Sequence, residues 1–140
     1  MNEATAERLK RVFSTISPDP TSFVADFMKE QIRAGRIPAE AAGIDMARKA
    51  RSIGSLLSLL VYNADLLDRV EPLMKSYTAV GVPSPFVEAF HGVARELLAD
   101  HIAQRAREAG VSLDDQLIAA FVEVVEVLDL SVSGQGEQAA

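Results

Sequence analysis

The 140-residue chain contains no cysteine, no tryptophan and only 2 histidines, and its basic residues are outnumbered by its acidic ones. Without cysteine there are no disulfides, thiol nucleophiles, thiolate metal sites or iron–sulfur clusters, and the redox compartment stays open. Lys and Arg number 14 against 20 for Asp and Glu, a net charge of -6. That balance argues against nucleic acid or an anionic membrane surface as the main partner. The most apolar window, Leu56 to Tyr62, is far short of the ~20 residues that span a bilayer. The first residues, Met1 to Arg8, carry acids where a secretory signal carries bases, so the expected location is cytoplasmic. No Ser/His/acid motif, glycine-rich phosphate loop or Glu-x-x-His spacing is present, which leaves no catalytic residue to name and predicts a protein that is not an enzyme. The two histidines, His91 and His101, share one expected helix and stand about 15 Å apart along it, too far to bind one metal ion.

What is present is apolar patterning. Hydrophobic residues make up 49% of the chain, ample for one core in one domain. Their spacing follows a helical period between glycine and proline breaks, so the fold class is all-α. A first helix runs from about Glu3 to Ile16, and Ser17-Pro18-Asp19-Pro20 turns the chain. A second, with Thr21 as its expected cap, carries Phe23, Phe27, Met28 and Ile32 to Gly35. Pro38 to Ala42 allow only a short turn of helix. A long third helix from about Asp45 to Tyr62 aligns Met46, Ala50, Ile53, Leu57 and Leu60. Pro72 starts a short helix that stops at Gly81-Val82-Pro83. Ser84-Pro85 opens another long helix ending at Gly110, and Ser112 with Asp114 and Asp115 opens a last one to about Leu130. Residues 1–130 thus read as one domain and Ser131 to Ala140 as a disordered tail.

This order, six to seven helices closing in a C-terminal antiparallel helix hairpin, is that of the globin fold. Leu73 to Val82 followed by Phe86 to Leu98 resembles the proximal helix, the Gly-Val corner and the next helix of bacterial single-domain globins. Phe23 to Met28 is similar to that family's second helix, and Gly43 to Met46 to the approach to its distal helix. The resemblance spans about Ala6 to Leu130 and implies a globin-like fold with an apolar ligand pocket. It also implies where haem chemistry would reside, and there the chain departs from the pattern. The iron-ligating histidine stands four residues before the corner glycine, a position occupied here by Tyr77. The phenylalanine packed on haem is replaced by Ala41-Ala42-Gly43, and the distal tyrosine by Met28.

The candidate axial or pocket residues are therefore Tyr77, His91, Met28, Ile53, Phe27, Leu57 and Phe90. A tyrosinate can ligate ferric haem, but its pKa of about 10 calls for a neighbouring cation; the alternative packs the ring in the core with its hydroxyl on a carbonyl or water. His91 reads as a haem ligand after rearrangement or as a surface histidine, and His101 as a solvated side chain. Arg33, Arg36, Arg48, Lys49 and Arg51 concentrate positive charge. Within that group Arg48, Lys49 and Arg51 would anchor a carboxylate such as a propionate or fatty-acid head, or form an ordinary solvated helix face. The resulting expectation is a haem-free globin-fold sensing or regulatory module acting through a small apolar ligand or a regulatory protein partner. The alternatives are a gas-binding haem protein with Tyr77 or His91 as axial ligand, and a fatty-acid-binding module. Apolar residues on several sides of the last helix add the expectation of a homodimer through Phe121, Val124, Val125 and Leu128.

Overall fold

In the computed structural model, which describes residues 1–39, 46–69 and 93–139, every regular element among those residues is helical. Helix α1 (Glu3–Ile16) is capped by Asn2, whose side chain accepts from the Thr5 amide at 2.8 Å. Its buried face is Leu9, Val12 and Phe13. Helix α2 (Pro20–Arg33) starts two residues earlier than a Thr21 cap implies. Asp19, not Thr21, is the cap: its carboxylate accepts from the Thr21 and Ser22 amides and, at 2.7 Å, from the Ser22 hydroxyl. Pro20 then occupies the first helical position, where a missing N–H costs nothing.

Gly35 (φ +77°) and Gly110 (φ +74°) end α2 and the fourth helix in the same way. In each, the glycine amide reaches back to the carbonyl three residues earlier and the following amide to the carbonyl five residues earlier (Gly35 to Ile32 with Arg36 to Gln31, Gly110 to Arg107 with Val111 to Ala106). This is the paired C-terminal closure that only a left-handed residue permits, which is why glycine stands there. Past the first of these turns the chain buries Ile37 completely.

Helix α3 (Met46–Tyr62) buries Ala50, Ile53, Leu57 and Leu60 of the expected stripe together with Gly54 and Val61, leaves Met46 half-buried against the core, and leads into a 3-10 turn at Ala64–Leu66. Residues 94–98 form a π-helical turn where an unbroken α-helix was expected, and helix α4 (Ala99–Glu108) follows. Helix α5 (Asp115–Ala139) is capped by Asp114, which accepts from the Leu117 amide at 2.9 Å, so Ser112 is not the cap. The helix continues beyond Leu130 through the segment expected to be a tail, and no proline in it forbids that.

Helix α5 packs on α4 and on the π turn preceding it, and α1 and α3 lie against the same helix. The closest pairing is α2 on α3. Gly54 lets it form: a Cβ there would come within 2.9 Å of the Pro20 carbonyl carbon and oxygen. Among the described residues no helix is long and apolar enough to cross a membrane.

Candidate functional site

Four of the expected pocket residues lie on α2 and α3. Phe27, Met28 and Leu57 are 0% exposed and Ile53 4%. All four side chains belong to the buried apolar core of the chain. None supplies a polar group to a distal ligand. Tyr77, Phe90 and His91, with the Ala41-Ala42-Gly43 corner, lie outside the described residues.

The basic group sits on the other side of α3. Arg48 and Arg51 are exposed and Lys49 is half-buried, while Ala50 and Ile53 between and beyond them point inward. Arg36 donates to the Gln31 side chain at 3.0 Å and thereby helps seal the end of α2. Arg48 and Arg51 thus face solvent from α3.

The residue that departs most from expectation is His101. It was expected in solvent and is 5% exposed, seated between α4 and α2. Phe23 and Phe27 flank its ring, with centroids 5.1 and 5.3 Å away and planes inclined at 61° and 60°. Nδ1 lies 3.1 Å from Glu30 Oε2. An ionised carboxylate only accepts, so Nδ1 carries the proton of the neutral ring and Nε2 presents a lone pair. Nε2 is buried with no hydrogen-bond partner. Burial holds the pKa of the imidazole below its ordinary value; attraction to Glu30 opposes this, and repulsion from Arg105 adds to it. Beside it Arg105 pairs with Asp26 at 3.6 Å, so a second charged contact spans the same two helices. The signal for this site was in the spacing. Leu98, His101, Ile102, Arg105 and Ala106 recur at the interval of one helical face, and Leu98, Ile102 and Ala106 are all buried. On α2, Phe23, Asp26, Phe27 and Glu30 recur in the same way.

The expected dimer residues are corrected by their burial. Phe121 and Val125 are 1% exposed and Val124 and Leu128 0%, all within the core of one chain. A helix packed by α1, α3 and α4 uses nearly its whole apolar circumference internally. Among the described side chains of α5, the large apolar ones left exposed are Ile118 and Val122, which border an open groove of about 650 Å³ with Ala99, Ala103, Arg107 and Leu113. A second cleft, about 440 Å³, lies over the α2–α3 crossing and is lined by Pro20, Thr21, Ser55, Ser58, Leu59 and Tyr62. Neither brings acids or histidines into a reactive arrangement, and among the described residues no group of three or more metal-binding side chains occurs.

Comparison with known proteins finds no family model, no curated protein and no solved structure that matches this chain.

Proposed function

We propose that this chain is a globin-like sensing or regulatory module that works without conventional haem ligation, through a small apolar ligand or through protein contacts, and not as an enzyme. The observation that carries the reading is that Phe27, Met28, Ile53 and Leu57 are all buried in the core and that none of them carries a polar group able to hold a distal ligand. Tyr77, in place of the iron-ligating histidine, supports it from the sequence. The solvent-facing Arg48 and Arg51 suit contact with an acidic partner better than capture of a carboxylate inside the fold.

Hemin added to the purified protein tests this directly. The expected result is a spectrum of unbound hemin without saturation. A stoichiometric, saturable Soret band overturns the reading in favour of a haem-binding globin. In that case Tyr77→Phe and His91→Gln identify the ligand by which of them abolishes the spectrum. Native mass spectrometry of freshly purified material separates the fatty-acid alternative, which requires a bound acyl chain.

A further inference from the structure

We propose that His101 is an acid-sensitive latch between α2 and α4: its neutral ring, seated between Phe23 and Phe27 and donating Nδ1–H to Glu30, holds the two helices together, and its protonation releases them. This goes beyond the sensing reading and does not depend on what ligand, if any, the fold takes up.

The argument starts from the two ring nitrogens. Nδ1 is satisfied by Glu30 at 3.1 Å, so an added proton must go to Nε2. Nε2 is sealed from solvent and has no partner. As a lone pair it tolerates that position; as an N–H sharing a positive charge it does not, because a buried charge needs acceptors that its surroundings lack. The two nearest rings are phenylalanines and offer none. Glu30 and Asp26 on α2 attract the charged ring, while Arg105 on its own helix repels it. Helices α1 and α5, which also pack on α4, supply none of these charges. Glu30 is itself half-exposed, so water screens the attraction that would otherwise hold an imidazolium in place.

The ring therefore has two stable situations: neutral and inside, or charged and outside. Moving outside takes it away from Phe23 and Phe27, which are buried when the latch is closed. The consequence of mild acid is an exposed aromatic face on α2, a change of surface that a partner can recognise. The Arg105–Asp26 pair is bridged across the same seam and opens with it, since both partners are already substantially exposed and add little restraint.

Hydrogen exchange of the full chain at about pH 7.5 and about pH 5.5, corrected for the intrinsic exchange rates, reads the latch. Protection across residues 20–33 and 99–108 is expected to fall several-fold at the lower pH, with residues 3–16 and 115–128 unchanged. In His101→Leu, which keeps an apolar group between the phenylalanines and cannot titrate, the pH response of both segments is expected to vanish. Equal loss of protection along the whole chain, or an undiminished response in His101→Leu, overturns the proposal. A second measurement keeps it testable if that variant does not fold. Nitrogen NMR of the imidazole in the unmodified chain is expected to show the Nδ1–H tautomer, with a titration midpoint below the ordinary histidine value. Glu30→Gln moves that midpoint further down and Arg105→Gln moves it up. A midpoint at or above the ordinary value, or shifts of the opposite sign, overturns it.

Discussion

Replacing Gly54 with alanine sets two well-characterised effects against each other, and the structure decides which wins. In a helix interior alanine is favoured over glycine by about 1 kcal/mol, and Gly54 lies well inside α3 (Met46–Tyr62). A Cβ at that position, however, meets the Pro20 carbonyl carbon and oxygen at 2.9 Å and the Thr21 amide nitrogen at 3.0 Å. These are backbone atoms of the first turn of α2, so no rotamer change relieves them and the two helices must separate. Overpacking of this kind costs about 1–3 kcal/mol, and a rigid obstacle puts it toward the upper end. The net expectation is a loss of about 1–2 kcal/mol. For a chain of this length that lowers Tm by roughly 3–8 °C and shifts the urea midpoint at constant slope. Ser55→Ala, at an exposed neighbour on the same helix, isolates the propensity effect and should raise stability by a few tenths of ~1 kcal/mol. A Gly54→Ala protein as stable as the original, or more so, would refute the close crossing of α2 and α3.

Three further outcomes follow from the caps, the core and the titrating groups. Asn2→Ala removes the acceptor for the Thr5 amide and should cost about 1 kcal/mol, seen as faster exchange at the start of α1. Leu128→Ala empties a fully buried position and should cost about 2–5 kcal/mol without changing the mass found by light scattering; a change from dimer to monomer would return this residue to an interface. Acid unfolding should show two separable steps. His101 has a lowered pKa in the folded chain, chiefly through burial, so the unfolded chain takes up its proton first and stability is lost as pH falls below about 6.5. Asp19, held low first by the Ser22 hydroxyl, and Asp114, held low first by Arg8, contribute stability above the usual carboxylate range that is lost as pH falls through it. Urea midpoints measured against pH should therefore lose the upper step, and keep the lower one, in His101→Leu.

The helices were legible because their signals are local. The glycines that close α2 and α4 stand where the apolar period stops, and α1 runs over Glu3–Ile16 as its spacing indicated. The caps were less legible. Asp19 and Thr21 are both suitable, and the choice rests on Pro20, which fits the first helical position and so leaves Asp19 before it. For α5, apolar abundance was misread as outward-facing surface, because a sequence gives the width of an apolar stripe but not the number of helices that cover it. Phe121, Val124, Val125 and Leu128 are covered from within the chain. His101 was missed for a different reason: its neighbours Asp100, Gln104 and Arg105 are polar, and composition outweighed position. Its interval from Leu98 and its place beside Ile102 put it on the buried face regardless of those neighbours. Gly54 carried a similar signal, an isolated glycine inside a helical pattern, which marks a packing need when nothing terminates the helix there.

Gly54 and His101 together assign different mechanical roles to the two sides of α2. Against α3 the helix is held by close backbone approach of Gly54 to Pro20 and Thr21, a contact in which no titrating side chain takes part. Against α4 it is held through the neutral imidazole of His101 on the Glu30 carboxylate and through one ion pair, Asp26 with Arg105. A rearrangement triggered by protonation therefore parts α2 from α4 along this seam, while the crossing of α2 and α3 at Gly54 stays in place. This separation is itself measurable. Gly54→Ala weakens the first seam but leaves every charge around His101 in place, so it should lower stability without moving the titration midpoint of the imidazole. A midpoint that moved with it would mean that the two seams open as one.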